Sequence, residues 1–334
     1  METIGIIGAG AWGTALAATA RRAGRNVVLW AHEPEVAEGI VRDGRNPLFL
    51  SEVALEGVRP TVDLAAAAAA DAVLLVVPAQ FLRAICRRLR PAWKPGTVAV
   101  ICAKGIETQS CALMTEVVAE ELPEAERAVL SGPTFAIEVA RGLPTAVTLA
   151  CEDTVLGQAL VQAIGTPTFR PYLTDDVTGA EMGGAVKNVL AIACGVVEGR
   201  RLGDNARAAL ITRGLAELSR LAVARGARPA TCMGLSGLGD LILTASSTQS
   251  RNYSLGVALG QGHALADILA ERRSVTEGVA TAGSVVDLAA RLGVEMPICA
   301  AVNGLLYRGI GIEETIRGLL ARPFTGELGY VPGS

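Results

Sequence analysis

The sequence has little lysine, little histidine and few aromatic side chains. Only three of its 30 basic residues are lysine, it has two histidines, and aromatic residues make up 4% of its 334 residues. Two histidines argue against a His-rich metal site and against a mechanism that needs a pair of catalytic histidines. The net charge is −3 and the arginines are scattered along the chain, which argues against nucleic-acid binding. Neither a metal nor a nucleic-acid partner is expected.

Long apolar runs and paired cysteines are also missing. The seven cysteines form no C-x-x-C pair and lie mostly in apolar stretches, which is typical of reduced, buried thiols. The most apolar-looking stretch, 64–82, is an alanine-rich run that Asp71 and Pro78 interrupt, so no membrane-spanning segment is expected. Met1 is followed at once by strand-like residues, with no export signal. These features predict a cytoplasmic protein.

Two patterns divide the chain. In the first half, short β-branched runs alternate with amphipathic helical segments, as in a doubly wound, largely parallel sheet. The predicted strands are 4–7, 27–30, 72–77, 97–103, 128–131, 146–150 and 168–172. After about Tyr172 helical periodicity takes over, over 178–197, 205–225, 251–259, 264–271, 278–292, 298–307 and 312–320. The sequence predicts an α/β protein with an N-terminal Rossmann-like domain, residues 1–175, and an all-α C-terminal domain, residues 176–334.

A glycine-rich hexapeptide, Gly-Ala-Gly-Ala-Trp-Gly at residues 8–13, connects the first predicted strand to a helix. In a G-x-G-x-x-G loop, the glycines equivalent to Gly8, Gly10 and Gly13 allow a tight turn, the approach of a pyrophosphate and close packing of helix on strand. The loop therefore predicts a bound dinucleotide. The acidic residue that usually ends the second strand is not cleanly present. His32 and a nearby arginine suit a 2′-phosphate, whereas Glu33 suits an unphosphorylated ribose, so NADP and NAD both remain open.

Because arginine has almost replaced lysine in this sequence, each of the three remaining lysines is a candidate functional residue. A desolvated lysine can release its proton near neutral pH, and arginine cannot. Lys104 follows a predicted strand, at the sheet edge where α/β proteins bind ligands. Lys187 lies within an apolar helical stretch with no acidic residue three or four positions away, so burial should depress its pKa and suit it to acid–base catalysis. Lys94, in a Trp-Lys-Pro-Gly turn, is interpreted as a surface residue.

Further polar residues fit a small phosphorylated substrate. Gly132 and Thr134 follow another predicted strand and can offer hydrogen bonds, and Asp240 in a glycine-rich bend can pair with a lysine or a substrate hydroxyl. Residues 250–252, Ser-Arg-Asn, stand at a predicted helix start. There the forked guanidinium of Arg251, the polar groups of Ser250 and Asn252 and the positive end of the helix suit a phosphate.

The ordered set of motifs resembles the bacterial-type NAD(P)-dependent sn-glycerol-3-phosphate dehydrogenases over nearly the whole chain. The motifs that carry the resemblance are 8–16, 104–105, 131–136, 184–188, 205–207, 212–214, 237–241 and 250–252. The resemblance implies hydride transfer between NADPH or NADH, with NADPH slightly preferred, and dihydroxyacetone phosphate, to give sn-glycerol 3-phosphate for glycerophospholipid synthesis. A homodimer is also expected.

The resemblance also assigns roles. It implies that Lys187 accepts and donates the proton at the substrate C2 oxygen, with Lys104 beside it and Asp240 in the same polar network. The implied substrate contacts are Lys104, Gly132, Thr134, Lys187, Asp240, Ser250, Arg251 and Asn252. The implied cofactor contacts, besides the three loop glycines, are Ala11, Trp12, His32, Lys104, Ala136, Arg251, Val275 and Glu277.

Two other functions share these features. A β-hydroxyacid or ketopantoate-type reductase also combines a Rossmann domain, a helical domain and a helical lysine, but takes a carboxylate substrate. A non-catalytic NAD(P) sensor would bind the cofactor without turnover. Two lysines interpreted as unpaired at the expected site of chemistry argue against the sensor.

Overall fold

A computed structural model describes residues 1–272 and 275–323 and contains one eight-stranded sheet in this region. Its strands are β1 (Thr3–Ile7), β2 (Asn26–Trp30), β3 (Val58–Thr61), β4 (Ala72–Leu75), β5 (Val98–Ile101), β6 (Glu126–Ser131), β7 (Thr145–Ala150) and β8 (Phe169–Thr174). The order across the sheet is β3-β2-β1-β4-β5-β6-β7-β8. All neighbouring strands are parallel except β6 and β7. The first six strands have the order typical of dinucleotide-binding sheets, which confirms the predicted Rossmann-like fold.

Helices cover both faces of this sheet. They are α1 (Ala11–Arg22), α2 (Pro34–Asp43), α3 (Leu64–Ala68), α4 (Leu82–Leu89), α5 (Met114–Glu121), α6 (Ala136–Ala140) and α7 (Thr154–Ile164), with 3₁₀ turns at Ala79–Phe81 and Arg90–Ala92. Strand β3, at the sheet edge, is the one strand that the sequence pattern did not predict. It contains Pro60, and proline in a short run argues against a strand except at an edge, where the missing N–H is tolerated.

Beyond Thr174 the part of the chain that the structure describes is helical. Its helices are α8 (Val177–Gly199), α9 (Asp204–Ala224), α10 (Pro229–Cys232), α11 (Asp240–Thr244), α12 (Arg251–Gly260), α13 (Leu265–Ala270), α14 (Glu277–Leu292), α15 (Pro297–Tyr307) and α16 (Ile312–Leu320), with a π-helical turn at Leu235–Gly239. The predicted helices agree with these within a few residues. Residues 324–334 of the predicted C-terminal domain lie outside the described part.

Helix α8 is the central element of the helical half. By length and composition it could cross a membrane, but its most apolar 18-residue window is entirely buried, as in the core helix of a globular protein. It packs most extensively on α12, where backbone meets backbone. A methyl group on Gly195 would lie 2.1 Å from the carbonyl oxygen of Tyr253, and one on Gly256 would lie 2.1 Å from that of Ile192. This close approach brings the beginning of α12 near the middle of α8.

Apolar side chains form three clusters: one on each face of the sheet and one around α8. The cluster around α8 includes Ile106 and Leu113, which lie in the connection that follows β5. The helical half is therefore packed onto the carboxyl side of the sheet through shared apolar contacts. All seven cysteines are buried and unbonded, as their apolar surroundings predicted.

Candidate active site

The glycine-rich loop has the shape that its sequence predicts. Gly8 has φ of +118°, and a side chain there would lie 2.7 Å from the carbonyl oxygen of Val76. A methyl group on Gly13 would lie 1.8 Å from the carbonyl oxygen of Gly8, whereas one on Gly10 would meet no atom within 4 Å. The open side at Gly10 and the N–H groups of Ala11, Trp12 and Gly13 at the start of α1 form a cradle that fits a dinucleotide pyrophosphate.

Two lysines from opposite halves of the chain share one buried carboxylate. The Nζ of Lys187, in the middle of α8, lies 2.7 Å from Oδ1 of Asp240, and the Nζ of Lys104, which follows β5, lies 2.6 Å from Oδ2. Asp240 is 1% exposed. The interpretation of these lysines as unpaired was wrong, because their partner comes from α11 and not from their own segments, whereas the predicted pairing of Asp240 with a lysine is confirmed. Two ammonium groups on one carboxylate leave an excess positive charge, which suits an anionic substrate.

Burial makes the Lys187 ammonium a labile acid. Burial, together with the positive charges of Lys104 and Arg251, lowers its pKa to about 8, and the carboxylate of Asp240 limits the decrease. Its Nζ also donates a hydrogen bond to the hydroxyl of Thr244, at 2.8 Å. An ammonium with a pKa near 8 can both give and take a proton at physiological pH.

Sequence reasoning missed Thr244. It lies four residues after Asp240 on α11, so both side chains emerge from the same helix face and meet the same ammonium. The four-residue spacing from Asp240, already a candidate site residue, was the sequence feature that could have identified Thr244.

The loop after β6 completes the Lys104 side of the site. The carbonyl oxygen of Gly132 accepts a hydrogen bond from Lys104 Nζ at 3.0 Å and one from the hydroxyl of Thr134 at 3.4 Å. The preceding hydroxyl, of Ser131, is buried without a partner among the described residues. A methyl group on Gly184 would lie 2.8 Å from that hydroxyl and 3.3 Å from the Lys104 side chain. A glycine in α8 therefore lets this helix lie directly against the Lys104 loop.

The first residue of α14, Glu277, contacts the carboxyl edge of the sheet near this cluster. Oε1 of Glu277 accepts a hydrogen bond from the N–H of Ala79 at 3.2 Å, and its other oxygen, like the hydroxyl of Thr281, is buried without a partner in residues 1–272 and 275–323. Burial raises the pKa of Glu277 to about 7, against the effects of the Ala79 N–H and the Arg251 charge. Both side chains lie near Gly105. These unsatisfied oxygens fit a polar ligand such as the nicotinamide end of the cofactor.

The start of α12 joins the two helices that flank it. Ser250 caps α12 by accepting the N–H of Tyr253 at 3.2 Å. The amide of Asn252 donates to Oδ1 of Asn188, the neighbour of Lys187, and accepts the N–H of Gly278, both at 2.9 Å. This relay places Ser250, Arg251 and Asn252 next to the lysine helix.

Arg251 is the first residue of α12, and its guanidinium forms no hydrogen bond to another described residue. Burial lowers the pKa of Arg251, and its positive charge in turn lowers the pKa of Lys187 and of Glu277. A guanidinium at a helix start is suited to a phosphate.

Other predicted cofactor residues lie apart from the lysine cluster. His32 is exposed just after β2, with its ring centroid 5.9 Å from that of Trp30. Ala136 is the first residue of α6, and Val275 is 42% exposed shortly before α14. Among the described residues, no hydrogen bond joins His32, Ala136 or Val275 to the Lys104 side chain, which binds Gly132 and Asp240. An extended ligand such as a dinucleotide would be needed to join them.

Comparison with known proteins assigns the chain to a family. Residues 3–156 match the model for the NAD-dependent glycerol-3-phosphate dehydrogenase N-terminus, and residues 176–317 match the model for the C-terminus of the same enzymes. A glycerol-3-phosphate dehydrogenase, NAD(P)+, of Rhodospirillum rubrum is 62% identical over 331 residues, covering 98% of this chain and 95% of that protein. Its counterpart in Caulobacter vibrioides is 58% identical over 98% of this chain and 99% of its own length.

A solved structure agrees. The crystal structure of a glycerol-3-phosphate dehydrogenase from Coxiella burnetii superposes with a TM-score of 0.92 at 38% identity, and the match covers 96% of this chain and 99% of that one. The superposition covers both the sheet and the helical half. The sequence identity, 38% to this structure and 62% to the Rhodospirillum rubrum protein, also extends over nearly the full length of the chain. The chain therefore belongs to the NAD-dependent glycerol-3-phosphate dehydrogenase family.

Proposed function

We propose that the protein is an oxidoreductase that transfers a hydride between NAD(P)H and dihydroxyacetone phosphate, giving sn-glycerol 3-phosphate for glycerophospholipid synthesis. The observation that carries the proposal is the pair of ammonium groups of Lys104 and Lys187 on the single buried carboxylate of Asp240, at the carboxyl edge of a dinucleotide-binding sheet. The names and near-complete coverage of the relatives support it.

Lys187 is the proposed proton donor and acceptor at the substrate C2 oxygen. Its buried ammonium, with a pKa of about 8, protonates the oxygen on which negative charge develops during reduction. Asp240 holds the ammonium in place together with Thr244, and Lys104, on the other carboxylate oxygen of Asp240, adds positive potential. In the reverse direction the neutral amine of Lys187 removes the same proton.

The cofactor supplies the hydride when it is bound. We assign its pyrophosphate to the cradle of Gly8, Gly10, Ala11, Trp12 and Gly13, and its ribose to the region of His32. The remaining proposed contacts are Lys104, Ala136, Arg251, Val275 and Glu277. The exposed His32 after β2 supports a slight preference for NADPH, since it leaves room for a 2′-phosphate.

The substrate phosphate is assigned to Ser250, Arg251 and Asn252, and the glycerol part to Gly132 and Thr134. The guanidinium of Arg251, which has no hydrogen-bond partner among the described residues and whose charge lowers the pKa of Lys187, supports this arrangement. A carboxylate accepts the same forked contact from arginine, so this contact alone does not separate the two substrate classes. The names and coverage of the relatives favour the proposal over a β-hydroxyacid or ketopantoate-type reductase.

The decisive assay follows oxidation of NADPH, and separately of NADH, by the purified protein. Dihydroxyacetone phosphate should be reduced rapidly, whereas dihydroxyacetone and ketopantoate should react poorly. The ratio of the two cofactor rates measures the NADPH preference. Binding of both cofactors without turnover of any ketone would support a sensor, and preferential turnover of ketopantoate would support the rival reductase.

Arg251→Ala tests the phosphate assignment. It should raise KM for dihydroxyacetone phosphate by about tenfold or more, because a charge-assisted pair is lost. The matched control is Arg42→Ala, at an exposed arginine on α2 that pairs only with Asp43 among the described residues. An unchanged KM in Arg251→Ala would remove this residue from the site.

We also propose that the chain divides near residue 175 into a cofactor domain and a substrate domain. The end of β8 at Thr174 and the start of α8 at Val177 support this division. A homodimer in the cytoplasm is proposed as well. The exposed apolar side chains of Leu202, Met233 and Tyr307 in the helical half are consistent with a dimer, and light scattering on the purified protein tests it.

A further inference from the structure

Asn46 lies in a loop whose other residues are exposed or only partly buried. It is the one buried residue of 41–52, and it is 0% exposed, between the end of α2 and β3. Burying an amide is costly unless its donors and acceptor find partners. All of the polar groups of this side chain do find them, and they do so in two different parts of the chain.

The carbonyl end of Asn46 organises its own loop. Its Oδ1 accepts the N–H groups of Leu48 and Phe49, both at 3.0 Å. A side-chain oxygen that accepts from residues two and three positions later is a common local turn, which aspartate forms equally well. This half of the side chain is explained by loop structure alone.

The amide end reaches the glycine-rich loop. Its Nδ2 donates to the carbonyl oxygen of Ala9 and to the hydroxyl of Thr14, both at 2.8 Å. The Thr14 hydroxyl also approaches the Ala9 oxygen, at 3.4 Å. The middle of the G-x-G-x-x-G loop is therefore tied to a residue that lies 37 positions away in the sequence.

Fixing the Ala9 carbonyl also fixes the next N–H. The peptide bond between Ala9 and Gly10 is trans, so its N–H points opposite to its C=O. With the oxygen turned inward to Asn46, the Gly10 N–H is turned outward, where no described residue accepts it and the side-chain position of Gly10 is open. Outward N–H groups at this loop are those that a pyrophosphate binds.

From these contacts we infer that Asn46 is a positioning residue for the dinucleotide pyrophosphate: it orients the Ala9–Gly10 peptide through its amide and joins the loop after α2 to the glycine-rich loop. The inference rests on the cofactor site of the proposed function and adds to it a determinant outside the glycine motif.

Asn46→Asp tests the two ends of the side chain separately. The variant keeps a carboxylate oxygen that accepts the N–H groups of Leu48 and Phe49, but it loses the amide group that donates to Ala9 and Thr14. The dissociation constants of NADPH and of ADP-ribose, measured by calorimetry, should both rise by about tenfold or more, since two buried hydrogen bonds are lost. At saturating NADPH the kcat should stay within about twofold, because the lysine cluster is untouched.

Two controls keep the test clear. Asn26→Asp makes the same chemical change at an exposed residue at the opposite end of the sheet, and should leave both constants unchanged. Thr14→Val removes one partner of the Asn46 amide without adding charge and should weaken both ligands, whereas Thr14→Ser should restore binding.

The outcomes separate the two hypotheses. A lower melting temperature of Asn46→Asp with unchanged dissociation constants would overturn the inference and leave Asn46 a structural residue. If the unmodified protein itself bound neither NADPH nor ADP-ribose, the proposed function would fail instead.

Discussion

The sheet half and the helical half of the chain each contribute one lysine to the cluster around Asp240, and the two lysines are held differently. On the sheet side, Lys104 follows a strand, its side chain is 17% exposed, and it donates to a backbone carbonyl as well as to Asp240. On the helical side, Lys187 is 9% exposed within the apolar helix α8 and is bound by Asp240 and Thr244. The carboxylate is shared, so the difference between the two lysines comes from their surroundings.

This comparison shows how one residue type can serve two purposes. The helical core removes water from Lys187 and lowers its pKa to about 8, so this ammonium can exchange a proton. Lys104 lies on the more open rim, where its charge can guide and hold an anion. Each variant below changes one side of this comparison, beginning with the largest expected effect.

Lys187→Ala removes the proposed proton donor. The kcat for reduction of dihydroxyacetone phosphate should fall by about a thousandfold, within the range for loss of a general acid. NADPH should still bind, because the glycine-rich cradle is intact. Steady-state kinetics and a binding titration check both statements. Lys94→Ala, at the exposed turn lysine, is the control, and turnover of Lys187→Ala within tenfold of the unmodified protein would contradict the assignment.

The pH profile should show the Lys187 titration with opposite signs in the two directions. In the proposed mechanism reduction needs the ammonium, so kcat/KM for reduction should be highest below pH 8 and fall about tenfold per unit above it. Oxidation of glycerol 3-phosphate needs the neutral amine, so its rate should rise up to about pH 8. Profiles that fall together in both directions would show that another group controls the reaction.

Asp240→Asn should move this titration to lower pH. The carboxylate raises the pKa of Lys187 against the effect of burial, so its removal should shift the limb of the reduction profile down by about one pH unit or more. Stability should also fall, since two ammonium groups lose their counter-charge. A limb that stays near pH 8 in a folded Asp240→Asn protein would exclude this coupling.

Lys104→Met should move the same limb the other way. The positive charge of Lys104 lowers the pKa of Lys187, so its removal should shift the limb up, by about one pH unit at most. The pH dependence of kcat/KM measures the shift. If the limb of the reduction profile shifted equally and in the same direction in Lys104→Met and Asp240→Asn, the two charges would not act on Lys187 with opposite sign, and the comparison of the two lysines would fail.

Thr244→Val should have the smallest effect. It removes the hydroxyl that accepts a hydrogen bond from the Lys187 ammonium, while the ion pair with Asp240 stays in place. The kcat should fall by a few-fold, because the remaining ion pair still holds the ammonium. Thr244→Ser keeps the hydroxyl and should recover most of the activity. A loss as large as that of Lys187→Ala would mean that Thr244 does more than hold the ammonium.

The sequence predicted local structure well where the pattern is strong. Seven of the eight strands were recognised from apolar or β-branched runs, but β3 was missed because it is only four residues long and has Arg59 and Pro60 at its centre. The scarcity of lysine directed attention to Lys104 and Lys187. Thr244 escaped notice because its partner, Lys187, lies 57 residues away.

The sequence by itself determined the alternation of strands and helices, the glycine-rich loop and the identity of the two lysines, because periodicity and glycine spacing are local properties. Only the tertiary structure decided that Asp240 binds both lysines, over sequence separations of 136 and 53 residues. The same holds for the pairing of Asn46 with Ala9. The physical reason is that burial and hydrogen bonding depend on which segments the packed core brings together, and no local pattern records that.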